Sequence, residues 1–153
     1  MNDQMEPIRK TVSVRCDVER AFDLYTQGTD TWWPLETHAR ADEVNGAKIE
    51  RVEFPTEPGR PILEHLSSGD ALPWGELLVH ERPHRIVIAW KPNANPNPPT
   101  EVEVTFTSED EGTRVDVEHR GWERLGALAE EGRAGYDQGW DFVLGRYVAA
   151  AVA

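Results

Sequence analysis

From residue 47 to residue 122 the chain runs through one short alternating segment after another, each closed by a turn, with no stretch long enough for a crossover helix. Strands joined in that way pair antiparallel, as a meander. The first segment covers 48–54 and the second 61–67, closed by Ser68-Gly69-Asp70. Segments 74–81 and 84–91 follow, connected through Arg82-Pro83. The stretch 92–99 (PNANPNPP) is too rich in proline for a ladder and is expected as a loop. Segments 100–107 and 113–121 form the most regular pair. Val102, Val104 and Phe106 share one face, and Val115, Val117 and His119 share the matching face across the acidic turn 108–112.

A meander of this kind has an apolar face that must be covered, and the segment with the length to cover it is 134–152. There Tyr136, Trp140, Val143, Leu144, Tyr147, Val148 and Ala151 form one broad apolar stripe at helical spacing. Gly135, Gly139 and Gly145 each weaken a helix by about 1 kcal/mol against alanine. We read them as points of close approach between helix and sheet. Upstream, 8–16 alternates as a strand with Val12, Val14 and Cys16 inward. Asp17 is placed to cap a short helix carrying Val18, Ala21, Phe22 and Tyr25, and a second helical turn bears Trp32 and Trp33 before Pro34 ends it. The expected fold is α+β: a curved antiparallel sheet of six or seven strands wrapped around a long C-terminal helix, with two short helices after the first strand. One domain spanning 1–153 accounts for the length, and a helix gripped by a curved sheet leaves room for a pocket.

Charge narrows the partners. The chain has 16 basic and 28 acidic residues, a net charge of −12. Nucleic acid and anionic membrane surfaces are repelled by such a field, so neither is expected as a partner. The single cysteine, Cys16, leaves no internal disulfide to form. The first ten residues lack the apolar core of a signal peptide, and no window approaches a membrane span, so the expected location is cytoplasmic.

The residues that could carry chemistry are mostly aromatic. Tyr136 and Trp140 lie one turn apart on the inward stripe of the last helix, with Leu144 one turn further. Trp90 falls on the Ile86, Ile88 face of its strand, and Trp32 and Trp33 sit where the short helices meet the sheet. Such side chains line ligand pockets as well as ordinary cores. His119 is in inward phase with Val115 and Val117, where a neutral imidazole holds a ligand's polar group or is bonded within the core. Of Glu64 and His65, neighbours in one strand, only one can face inward. Glu76 shares its phase with Trp74 and Leu78. His80 and His84 are separated by Pro83, and the chain has no HExxH, CxxC, GxSxG, GxGxxG or phosphate-binding loop. Neither a metal nor a cofactor is expected, and no catalytic residue is assigned.

The chain resembles the START-related SRPBCC (helix-grip) superfamily, in the branch similar to the activator of heat-shock-protein-90 ATPase. The resemblance is carried by AFDLYT (21–26), TWWP (31–34), ILEH (62–65), WGELLVHERPHRIVIAW (74–90), TEVEVTF (100–106), GTRVDVEHRGWERLG (112–126) and YDQGWDFVLGRY (136–147). It implies the helix-grip fold and a hydrophobic cavity. It implies no reaction, because members of this branch share no catalytic motif, and the co-chaperone role belongs to a small part of the group. The leading expectation is a non-catalytic protein holding a small hydrophobic or aromatic molecule against Trp32, Trp33, Trp90, His119, Tyr136, Trp140 and Leu144. The alternatives are a co-chaperone-like module that binds a protein partner through its surface, and a cyclase- or hydrolase-like enzyme. Monomer and homodimer both remain open.

Overall fold

Alternation of apolar and polar residues builds the sheet, and the computed structural model describes residues 5–35, 47–91 and 98–152. Seven strands, β1 (Ile8–Val14), β2 (Ile49–Glu53), β3 (Pro61–Leu66), β4 (Ala71–Glu81), β5 (Arg85–Trp90), β6 (Thr100–Glu109) and β7 (Gly112–Arg120), pair antiparallel throughout. Their order is β1-β7-β6-β5-β4-β3-β2, so β1 closes one end beside the last strand. The 92–97 part of the expected proline-rich loop lies outside the described residues.

The β6–β7 pair follows the expected phase. Val102 faces His119, Val104 faces Val117 and Phe106 faces Val115, all of them buried. The hairpin is tighter than the expected 108–112 turn: Glu109 pairs with Gly112, which leaves Asp110 and Glu111 as the turn.

In β4 the simple alternation fails. Ile62 pairs with Gly75 and Leu63 with Pro73, so Trp74 is an extra residue opposite β3. A second register shift falls between Leu77 and Val79 opposite β5. Bulges of this kind reverse side-chain phase along a strand. Trp74 and Leu77 are therefore both buried, while Leu78 is 37% exposed and Glu76 is exposed. The shared face expected for Trp74, Glu76 and Leu78 does not exist. Gly75 sits at this break with φ +151°, and a Cβ there would run into the Ala89 carbonyl oxygen of β5.

Helix α1 (Val18–Tyr25) starts at Asp17, whose carboxylate accepts from the Arg20 amide at 2.8 Å, and it buries Ala21, Phe22 and Tyr25. The turn Thr29–Thr31 follows, and from it Asp30 accepts the Val52 amide of β2 at 3.1 Å, while Gln27 donates to the Phe54 carbonyl at 3.0 Å. Asp23 on α1 also forms a two-pronged ion pair with Arg82 at the β4–β5 turn (2.9 and 2.8 Å), which holds its carboxyl below the usual range.

The long helix α2 runs Ala129–Ala151, five residues earlier at its start than the apolar stripe indicates, and a 3-10 segment (Trp122–Leu128) leads into it. Glu130 and Glu131 occupy its first turn, where their charge suits the exposed amides. Trp140, Val143, Leu144, Tyr147 and Ala151 are buried against the sheet. Tyr147 donates to the Ala21 carbonyl at 2.6 Å, and Lys10 of β1 pairs with Asp137 and Asp141 at 3.0 and 3.1 Å. The glycine reading is overturned at two positions: a Cβ at Gly135 or Gly145 would meet nothing within 4 Å. Among the described residues, no helix is long and apolar enough to cross a membrane.

The sheet's outer face carries an ion-pair ladder. Arg120 reaches Glu101 (3.1 Å), Glu103 (2.6 Å) and Glu118 (2.9 Å), Arg85 joins Glu103 (2.5 Å), and Arg9 joins Glu118 (3.2 Å). Burial raises the Glu103 carboxyl, but Arg120 and Arg85 outweigh it and hold it below the usual range.

Candidate functional site: an aromatic wall between sheet and helix

Four tryptophans from four segments converge on the covered face. Trp33 follows the Thr29–Thr31 turn, Trp74 comes from the β4 bulge, Trp90 ends β5 and Trp140 lies in α2. Ring centroids separate Trp33 from Trp74 by 5.1 Å, from Trp90 by 5.8 Å and from Trp140 by 6.2 Å. Trp74 and Trp90 are 6.0 Å apart, and Trp90 and Trp140 are 6.5 Å apart. These are the spacings of tilted and edge-on aromatic contacts.

Hydrogen bonds fix the orientation of three of these rings. An indole N–H can only donate, so each such bond also defines its acceptor. Trp140 Nε1 donates to His119 Nδ1 at 3.0 Å. Nδ1 therefore carries the lone pair, and the ring's proton is on Nε2, which donates to Thr100 Oγ1 at 2.7 Å. The Thr100 hydroxyl in turn donates to the Trp90 carbonyl at 3.3 Å. Trp90 Nε1 donates to the Tyr136 hydroxyl oxygen at 3.0 Å, and Trp74 Nε1 to Glu64 Oε1 at 2.7 Å.

His119 is fully buried, and burial pushes its pKa down to about 3. A neutral imidazole with both nitrogens engaged is a poor general base, because its lone pair already holds Trp140. Its carbonyl accepts from Trp122 Nε1 at 2.9 Å, and the Trp122 ring lies 4.2 Å from its own. Glu64, rather than His65, faces inward and is fully buried. His65 turns outward onto Glu53 at 2.8 Å.

The expected residues thus divide. Trp33, Trp90, His119, Tyr136 and Trp140 form one continuous cluster, with Tyr136 5.0 Å from the His119 ring. Trp32 lies at the edge of that cluster, 5.7 Å from Trp33, and its other contacts point away from it: it donates to the Leu24 carbonyl at 2.8 Å and packs on Tyr25 (5.1 Å) and Tyr147 (4.9 Å). Leu144 is buried on α2 one turn beyond Trp140. The structure adds Trp74, Thr100 and Trp122 to the cluster. Thr100 and Trp122 carry a sequence signal, since Thr100 begins β6 and Trp122 follows the end of β7, both strands that lead to the site. Trp74 carries none without the bulge.

Two open depressions, of about 530 and 610 Å³, lie elsewhere, around Arg15, Cys16 and Asp17 beside the β6–β7 turn and the end of α2. Burial raises the Cys16 thiol, which suits packing rather than nucleophilic attack. Among the described residues, no cluster of three or more His, Cys, Asp or Glu is arranged to hold a metal.

The family model described as "Activator of Hsp90 ATPase homolog 1-like protein" matches residues 15–151. No curated protein matches significantly. Among solved structures, protein MLL2253 from Mesorhizobium loti superposes with TM-score 0.67 at 16% identity, covering 94% of each chain. The Aha1 dimer from Colwellia psychrerythraea gives TM-score 0.65 at 14% identity over 96% of each chain. Txn09, an anthrahydroquino-gamma-pyrone synthase solved in complex with SUM, gives TM-score 0.57 at 27% identity over 86% of each chain.

Proposed function

Since the chain belongs to the Activator of Hsp90 ATPase homolog 1-like family, whose helix-grip fold it shares, we propose that it binds a planar hydrophobic or aromatic molecule between the sheet and α2. One observation carries this reading: three of the four clustered indoles turn their N–H groups onto protein acceptors, so the wall that a ligand would meet there is apolar. A ligand held there gains most of its affinity from apolar burial. The likeness to Txn09, itself a protein solved with a bound molecule, supports the same reading.

Within it, Trp33, Trp90 and Trp140 contact the ligand directly, joined by Trp74. Tyr136 supplies a polar edge, and His119 orients Trp140 rather than meeting the ligand. Trp32 and Leu144 pack behind the wall. Catalysis by His119 does not fit, because its lone pair is already held by Trp140.

Native mass spectrometry of freshly purified protein, with a Nile red titration, tests the proposal. The expected result is a co-purifying aromatic molecule, or saturable dye binding that Trp140→Ala or Trp90→Ala abolishes. A protein that retains no small molecule and leaves the dye dark has no such site. The surface-acting co-chaperone-like reading would then take its place.

A further inference from the structure

The path of hydrogen bonds that begins at Trp140 returns to the helix it left. Trp140 donates to His119 on β7, His119 to Thr100 on β6, and the Thr100 hydroxyl to the Trp90 carbonyl on β5. The Trp90 indole then donates to Tyr136, one turn before Trp140 on α2. Side chains alone thus tie three neighbouring strands to the two ends of one helical turn.

Between Trp140 and the Trp90 carbonyl every hydrogen has a single possible position. The indole can only donate and the carbonyl can only accept, so His119 and Thr100 must each accept on one side and donate on the other. A neutral imidazole has two tautomers, and only the one with its proton on Nε2 offers Trp140 an acceptor. Thr100 is the group that meets that proton. We propose that Thr100 is a positioning residue of the aromatic site: it holds His119 in the Nε2–H tautomer and so fixes the Trp140 and Trp90 rings without touching the ligand. This rests on the ligand-binding reading above.

Thr100 is 4% exposed and lies opposite Trp90 in the β5–β6 register, so it supports the wall from within the sheet. Among the described residues, no buried side-chain nitrogen or oxygen lacks a hydrogen-bond partner. Thr100→Val keeps the shape of the side chain but orphans the Nε2 proton, and a buried donor without a partner is costly. The ring should then turn or change tautomer, and either change takes the acceptor from Trp140.

Long-range proton–nitrogen NMR spectra read the His119 tautomer, and Nile red titration reads the site. The wild type should show an unprotonated Nδ1 and a slowly exchanging Trp140 indole proton. Thr100→Val should lose both signatures and bind Nile red about 10-fold more weakly. Thr100→Ser keeps the hydroxyl and should return tautomer, indole protection and affinity toward the wild type. Lost packing alone would not behave in this way, because serine fills the space less well than valine. Should Thr100→Val not fold, Thr100→Ala against Thr100→Ser repeats the comparison across one oxygen atom. A wild-type Nδ1 that carries the proton, wild-type affinity in Thr100→Val, or no recovery in Thr100→Ser overturns the assignment and leaves the aromatic site standing. Nile red that fails to bind the wild type removes the ligand-binding reading itself, and the role of Thr100 with it.

Discussion

Trp140 Nε1 donates to His119 Nδ1 across 3.0 Å, joining the long helix to the last strand by a bond whose direction chemistry allows only one way. The imidazole must stay neutral to accept it. A proton on Nδ1 would face an indole hydrogen and break the contact.

That requirement makes stability depend on pH. The folded pKa of His119, about 3, lies below its ordinary value of 6.5. Between these values the unfolded chain binds a proton that the folded chain refuses, so stability is full above 6.5 and falls as pH drops toward 3. The loss from this residue between pH 7 and pH 5 should be roughly 2 kcal/mol. Urea unfolding at both pH values measures it, with His119→Gln as reference, since an amide can still accept from Trp140 and donate to Thr100. The Gln variant should show a correspondingly flatter pH dependence; equal slopes would mean that His119 protonates freely in the fold.

Trp140→Ala removes both the bond and a large buried ring. If the site is packed core, it should destabilise by about 3–5 kcal/mol in chemical denaturation. A much smaller loss, together with lost dye binding, marks Trp140 as a ligand wall.

Glycines give opposite outcomes at two kinds of position. Gly75→Ala forces a methyl into the Ala89 carbonyl at a left-handed backbone angle and should destabilise by about 3 kcal/mol or more. Gly135→Ala and Gly145→Ala add a methyl to open space inside a helix and should each stabilise by about 0.5–1 kcal/mol. Thermal melts of the three variants check the set, and a destabilised Gly145→Ala would restore close approach at that point.

Arg120→Met should cost about 1–3 kcal/mol, because it leaves three carboxylates facing one another across the sheet. Added salt should narrow the gap between wild type and variant, since screening weakens both the lost attraction and the new repulsion. A gap that does not respond to salt would point to lost packing by the arginine stem.

The parts of this fold that were legible in the sequence are those governed by a period. Val102, Val104 and Phe106 opposite Val115, Val117 and His119 follow a period of two, and the tyrosine and tryptophan stripe of α2 follows a helical one. Trp74 was not legible, because a bulge adds one residue to β4 and reverses the phase on which its position would be judged. The start of α2 was blurred by Gly132 and Gly135, which weaken the helical signal although the helix continues through them. His119 could be placed inward from its phase, but its partners Thr100 and Trp140 lie 19 and 21 residues away, and no local pattern encodes such a pairing.

The capping of β2 by the Thr29–Thr31 turn bears on how copies of this chain meet. β2 is a terminal strand of the sheet, the position where another chain would ordinarily extend a ladder. With Asp30 on the Val52 amide and Gln27 on the Phe54 carbonyl, the C-terminal end of that rim is already occupied by the molecule's own side chains. A newcomer pairing at Val52 must first evict a carboxylate, so copies that crowd together meet a closed border at this end of the strand.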